Sequence, residues 1–158
     1  MTDLTDYKPT ILTLHPYEMD VIFVWSPDEQ QALAQYLREH DDDEDWKRWG
    51  DFVGESEWKC RGLSWVGGFE VPTVIGVNLP LYCSGEDGQE MFRGAMATLS
   101  HEIFHSIMAL CKNIMQYLEW DHDEPMAYMT GYIMKHALEL MPAEMPSLME
   151  MVEKSATK

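Results

Sequence analysis

His101-Glu102-Ile103-Phe104-His105 is an H-E-x-x-H sequence near the middle of the chain. On a helix, its two imidazoles stand one turn apart and can share a zinc ion, with the glutamate beside them as a general base. The pattern is short, so its neighbours must supply a helix, an enclosure and a third ligand. The helix is well supplied. Phe92, Leu99, Ile103, Ile107 and Ile114 form one apolar stripe at helical spacing. From Glu90 to Asn113 there is no proline, and Gly94 is the single glycine. With 3.6 residues per turn, His101 and His105 lie within about 40° of each other, opposite that stripe, and share their face with Gly94, Thr98 and Met108. Between Met91 and Met115 only Arg93, Glu102 and Lys112 carry formal charge. That predicts a helix buried on most sides. Burying two histidines and a carboxylate without partners is unfavourable, and a bound metal ion removes most of that objection.

A catalytic zinc site takes three protein ligands and keeps a position open for water. Asp121-His122-Asp123-Glu124-Pro125 precedes a second helical pattern from Met126 to Met141. Asp121 or Asp123 can cap that helix, and Pro125 suits its first turn. Glu124, Ala127, Tyr128, Gly131 and Lys135 fall on one face. Ala127 and Gly131 are small, so two helices are expected to approach closely there, with Glu124 projecting from the first turn towards the histidines. His122 is the rival third ligand. Cys111, on the apolar side of the first helix, reads as a core cysteine.

H-E-x-x-H followed by Glu124-Pro125-Met126-Ala127-Tyr128, an E-x-x-A-Y sequence, resembles the glutamate-zincins, or gluzincins. More narrowly, it is similar to small metallopeptidases often encoded by bacteriophages. The resemblance covers residues 95–135. It implies a minimal zincin-like α+β domain: a small mixed sheet packed on a central H-E-x-x-H helix, and a second helix carrying the third ligand. It further implies that Zn2+ is the cofactor, that His101, His105 and Glu124 hold it, and that Glu102 polarises the water. In zincin folds a strand preceding the active helix lines the cleft and pairs with an extended substrate. Thr73 to Leu79, β-branched, apolar and closed by Pro80, reads either as such a strand, acting by strand addition, or as an ordinary buried strand, and the sequence does not decide between the two. The metzincin extension fits worse, because Met108 and Cys111 stand where it needs a glycine and a third histidine.

The activity expected on this reading is zinc-dependent hydrolysis of peptide bonds. Glu102 accepts a proton as a metal-activated water attacks the carbonyl, then delivers it to the leaving amine. The developing oxyanion needs a donor besides the metal. Tyr128, one turn after Glu124 on the same face, is the first candidate, followed by Tyr132 and Tyr82. His136 lies off that face and reads as a surface or structural histidine.

The first half of the chain reads as strand, helix and loop. Val21 to Trp25 is a continuous apolar strand. Ser26-Pro27-Asp28-Glu29 is a helix start, with a serine cap, a proline at the first position and acids in the first turn. Ala32, Leu33, Tyr36 and Leu37 give the apolar face of that helix, which ends near His40. Asp41 to Asp45 reads as a solvated acidic loop. Trp46, Trp49, Phe52 and Trp58 are expected to fold back over the core or form a lid. Gly62 to Glu70 reads as another strand or hairpin arm. Pro142 to Lys158 reads as a short docking helix that frays at its end. Residues 1–158 are expected to form a single domain, large enough for a proper hydrophobic core.

The formal net charge is −17, from 28 acidic and 11 basic residues. Such a chain is a poor non-specific binder of nucleic acid or of anionic membranes. It suits a basic partner, which includes a protein or peptide substrate. The alternative reading from another class is an acidic binding or inhibitor protein that mimics DNA and carries a structural or vestigial metal site. A purely structural zinc site is the third reading, but such sites usually employ four ligands rich in cysteine. Met1 to Pro9 is polar and charged, and no apolar run is long enough to cross a bilayer. The three cysteines are an odd count without C-x-x-C spacing, which points to a reducing compartment. The expected location is therefore the cytoplasm, that of the host cell if the chain is phage-encoded.

Overall fold

The computed structural model describes residues 7–15, 19–39, 44–67, 70–82, 88–114 and 124–142. The fold is mixed α+β, with a four-stranded sheet and four α-helices among the described residues. In chain order these are β1 (Ile11–Leu14), β2 (Met19–Val24), α1 (Pro27–Glu39), α2 (Glu44–Glu55), β3 (Gly62–Trp65), β4 (Thr73–Val77), α3 (Gly88–Ile114) and α4 (Glu124–Leu140). A short 3-10 turn at Leu79–Leu81 links β4 towards α3. Asp41 to Asp43, Asp121 to Asp123 and the tail 143–158 lie outside the described residues.

The sheet order is β1-β2-β4-β3. β1 runs antiparallel to β2, with Ile11 opposite Ile22. β2 runs parallel to β4, with Val21 opposite Thr73. β3 runs antiparallel to β4, with Gly62 opposite Val77. Alternation along β2 divides its side chains between two cores. Val21, Phe23 and Trp25 join Ile75 and Val77 under α3 and α4. Ile22 and Val24 join Val74, Trp58 and Trp65 under α1 and α2. β4 is buried along its whole length, because it has a strand on either side and helices over both faces.

The start of α1 follows from its sequence. Ser26 Oγ accepts a hydrogen bond from the Glu29 backbone N–H at 3.2 Å, and the Glu29 carboxylate accepts one from the Trp25 N–H at 3.0 Å. The first bond satisfies a donor that the first turn leaves free, and the second ties the Glu29 side chain back to the end of the strand. Gln30 is almost fully buried and donates to the carbonyls of Val53 at 2.6 Å and Ser56 at 2.8 Å, tying α2 to α1. Gly50 and Gly54 permit the close approach: a Cβ on Gly50 would lie 2.8 Å from the Ala34 carbonyl oxygen.

Glu44 and Asp45 are not part of a loop, as the acid run suggests, but the first turn of α2. Acids there complement the positive end of the helix dipole. Trp46, Trp49 and Trp58 fold back over the α1 core, whereas Phe52 remains exposed. They lie on the sheet face opposite α3 and so form no lid over it.

Candidate functional site

α3 buries Phe92, Ala95, Leu99, Ile103, Ile107 and Leu110 against the sheet and α4. The stripe read from the sequence is therefore the packed face. The opposite face is open: Ala97, Ser100, His101, Phe104 and His105 are exposed among the described residues. This corrects the expectation of burial on most sides. Few formal charges on a helix face do not require enclosure when serine, alanine and histidine populate it.

His101 and His105 converge. Their Nε2 atoms are 3.0 Å apart, with ring centroids 4.4 Å apart and ring planes at 81°. In a neutral pair one ring donates its N–H to the lone pair of the other. With both lone pairs turned inward, the same separation lets each nitrogen approach a common point at about 2.0–2.1 Å, the ordinary zinc–imidazole distance. The two histidines thus fit a zinc ion, and their open side leaves room for water and substrate.

Glu102 is set apart from them by its place on the helix. About 100° round from His101, it is only 8% exposed and packs beneath β3. The strand reaches it because Gly62 has no side chain. A Cβ there would lie 2.3 Å from Thr98 Cγ2 and 2.7 Å from Glu102 Oε1. The Glu102 carboxylate makes no hydrogen bond or ion pair among the described residues.

Tyr82 extends the arrangement towards the N-terminal end of α3. Its ring lies over Gly94, where a Cβ would come within 2.9 Å of Cε1. Its hydroxyl pairs with Thr98 Oγ1, one turn before Glu102. The Arg61 guanidinium carbon stands 5.3 Å from the centroid of the same ring. Neither Gly62 nor Arg61 is singled out by sequence reasoning, since each reaches the site only through the pairing of β3 with β4.

α4 buries Met129, Ile133 and Ala137. Ala127 and Gly131 are exposed, and nothing lies within 4 Å of a Cβ built on Gly131. The expected helix contact through these small residues is therefore absent; the bulky Met129–Ile133 face packs instead. Tyr128 is 70% exposed and stacks on Tyr132 with centroids 6.3 Å apart. Tyr132 in turn meets His136 edge-on, and His136 Nδ1 lies 2.9 Å from Glu139.

Glu124 is the first residue of α4; its side chain, and all of His122, lie outside the described residues. Among the described residues no group of three or more His, Cys, Asp or Glu side chains is assembled to hold an ion.

Of the two readings of Thr73–Leu79, the ordinary buried strand is the one observed. β4 is paired on both sides and has no free edge, so strand addition to Thr73–Val77 is excluded. Among the described residues, the unpaired sheet edge on the Glu102 side is that of β3. A cavity of about 220 Å³, lined chiefly by Tyr7, Phe23, Trp25, Glu29 and Leu140, involves no residue of α3. No helix among the described residues is long and apolar enough to cross a membrane. Comparison with protein-family models, with curated proteins and with solved structures finds no match to this chain.

Proposed function

We propose that this chain is a zinc-dependent peptidase with a minimal zincin-like architecture, acting in the cytoplasm. The observation that carries the reading is the 3.0 Å convergence of His101 and His105 on the open face of α3; Glu102, about 100° round the helix, is held under Gly62. His101 and His105 are the histidine ligands, and Glu124 at the start of α4 is the third.

Zinc, when bound, supplies Lewis-acid polarisation and a more acidic water. Glu102 takes the proton of the attacking water and passes it to the leaving amine nitrogen. Its burial under Gly62, which has no side chain, fixes where the carboxylate sits. Tyr128 is proposed as the oxyanion donor in preference to Tyr82, whose hydroxyl is already engaged by Thr98. The edge of β3, unpaired among the described residues, offers backbone groups to an extended peptide.

The decisive experiment replaces Glu102 by Gln. Hydrolysis of unfolded protein substrates is expected to fall on the order of 100- to 10,000-fold, the usual contribution of a general base. Zinc, measured by elemental analysis of the purified protein, is expected to stay at the wild-type ratio. Cleavage that survives the substitution would falsify the assignment of the base. Zinc content unchanged after His101→Ala with His105→Ala removes the metal reading itself.

A further inference from the structure

The 28 acidic residues outnumber the 11 basic ones, so an exposed cation here has many carboxylates available to it. Arg61 nevertheless forms no ion pair with any described residue. Its position is fixed by other means. The Arg61 carbonyl accepts a hydrogen bond from Asn78 N–H at 2.8 Å. Its guanidinium lies 5.3 Å from the centroid of the Tyr82 ring. That ring is seated over Gly94 and anchored through Thr98. A guanidinium on an aromatic face keeps its in-plane N–H donors for a planar anion.

The placement is also informative. Arg61 immediately precedes Gly62, the residue that touches Glu102. The Tyr82 ring spans Gly94 to Thr98 on α3, and His101 comes three residues after Thr98. At 1.5 Å per residue this puts Arg61 roughly 5–10 Å before the histidine pair along the helix, about the length of two or three extended residues.

We infer that Arg61 reads a carboxylate on the peptide substrate, two or three residues from the bond that is cut. The carboxylate is an Asp or Glu side chain or the C-terminal carboxylate of the chain being cleaved. The protein's overall negative field repels acid-rich segments, so the favoured substrate carries one such group in an otherwise neutral or basic sequence. The inference rests on the peptidase reading for its direction along α3.

The test uses internally quenched peptides that differ only by Glu or Gln at each position near the cleaved bond, each made with a free and with an amidated C-terminus. Zinc-loaded wild-type protein is expected to show a kcat/KM roughly tenfold higher for the peptide with a carboxylate at one position, the size of one charge-assisted hydrogen bond at an exposed site. Arg61→Gln erases that preference. Arg61→Glu reverses it in favour of Lys at the same position, which a merely structural role would not produce. Preference for the free terminus alone identifies the C-terminal carboxylate as the ligand.

A second readout needs no turnover: fluorescence anisotropy of labelled peptides on Glu102→Gln protein, with and without Arg61→Gln. Cleavage without any carboxylate preference overturns this inference and leaves the peptidase reading standing. Carboxylate-selective binding that depends on Arg61, with no cleavage by wild type, overturns the peptidase reading and keeps Arg61 as the binding residue. Neither cleavage nor selective binding overturns both.

Discussion

Gly62 makes the tightest single-residue demand on the site. A methyl group there must push away Thr98, Glu102 or the strand itself. Gly62→Ala is expected to lower stability by about 1–3 kcal/mol, the usual range for overpacking, and to reduce kcat/KM more than this loss explains, because Glu102 moves. Urea titration beside peptide hydrolysis checks both; wild-type values in each would show that β3 does not press on Glu102. Tyr7 makes a different demand. Burial first, and the Glu29 carboxylate second, raise its hydroxyl above the ordinary 10.0. The native state then keeps a proton that the unfolded chain releases, so this stability is present below about pH 10 and is lost as pH rises beyond it. Tyr7→Phe is expected to flatten the fall of the urea midpoint between pH 9 and 11. Of the residue-scale features, the meeting of His101 and His105 is legible in sequence because both lie on one helix. The Gly62–Glu102 contact is not, because nothing local links a strand residue to a helix residue so far along the chain.

α3 and α1 follow their sequence patterns closely, since periodicity, caps and the absence of proline act within a few residues of each other. Errors arise where an element's surroundings decide. The scarcity of charge on α3 suggests enclosure, yet the face of Ser100, His101 and Phe104 is open. Ala127 and Gly131 suggest a close helix contact, yet α4 packs through Met129 and Ile133. In β4 the signal is present in the unbroken run Thr73 to Val77, which marks a strand buried on both faces and argues against an edge. The proposed third ligand belongs to this scale, because Glu124 stands at the start of α4. Glu124→Ala is expected to lower zinc affinity while His122→Ala leaves it unchanged, as read by competition with a chromogenic chelator. The opposite pattern transfers the role to His122.

Across the whole molecule, the sheet separates two cores. Among the described residues, the α1–α2 layer and the α3–α4 layer cover opposite faces of the strands between them. Sequence indicates the α+β class and most of the elements. The order β1-β2-β4-β3 is not legible, because parallel pairing of β2 with β4 spans two helices and another strand. The net charge of −17 keeps the acidic DNA-mimic reading distinct and testable: binding to a basic protein that survives loss of both histidines favours it. The open histidine face has one more consequence. Leu99, Ile103 and Ile107 fasten α3 from the side away from the imidazoles, so the helix requires no ion to stay folded. An ion held there, as proposed, is expected to exchange with the medium. EDTA is therefore expected to silence hydrolysis while moving the thermal midpoint only slightly, and added zinc to restore turnover without refolding. Collapse of the fold on chelation would assign the ion to architecture.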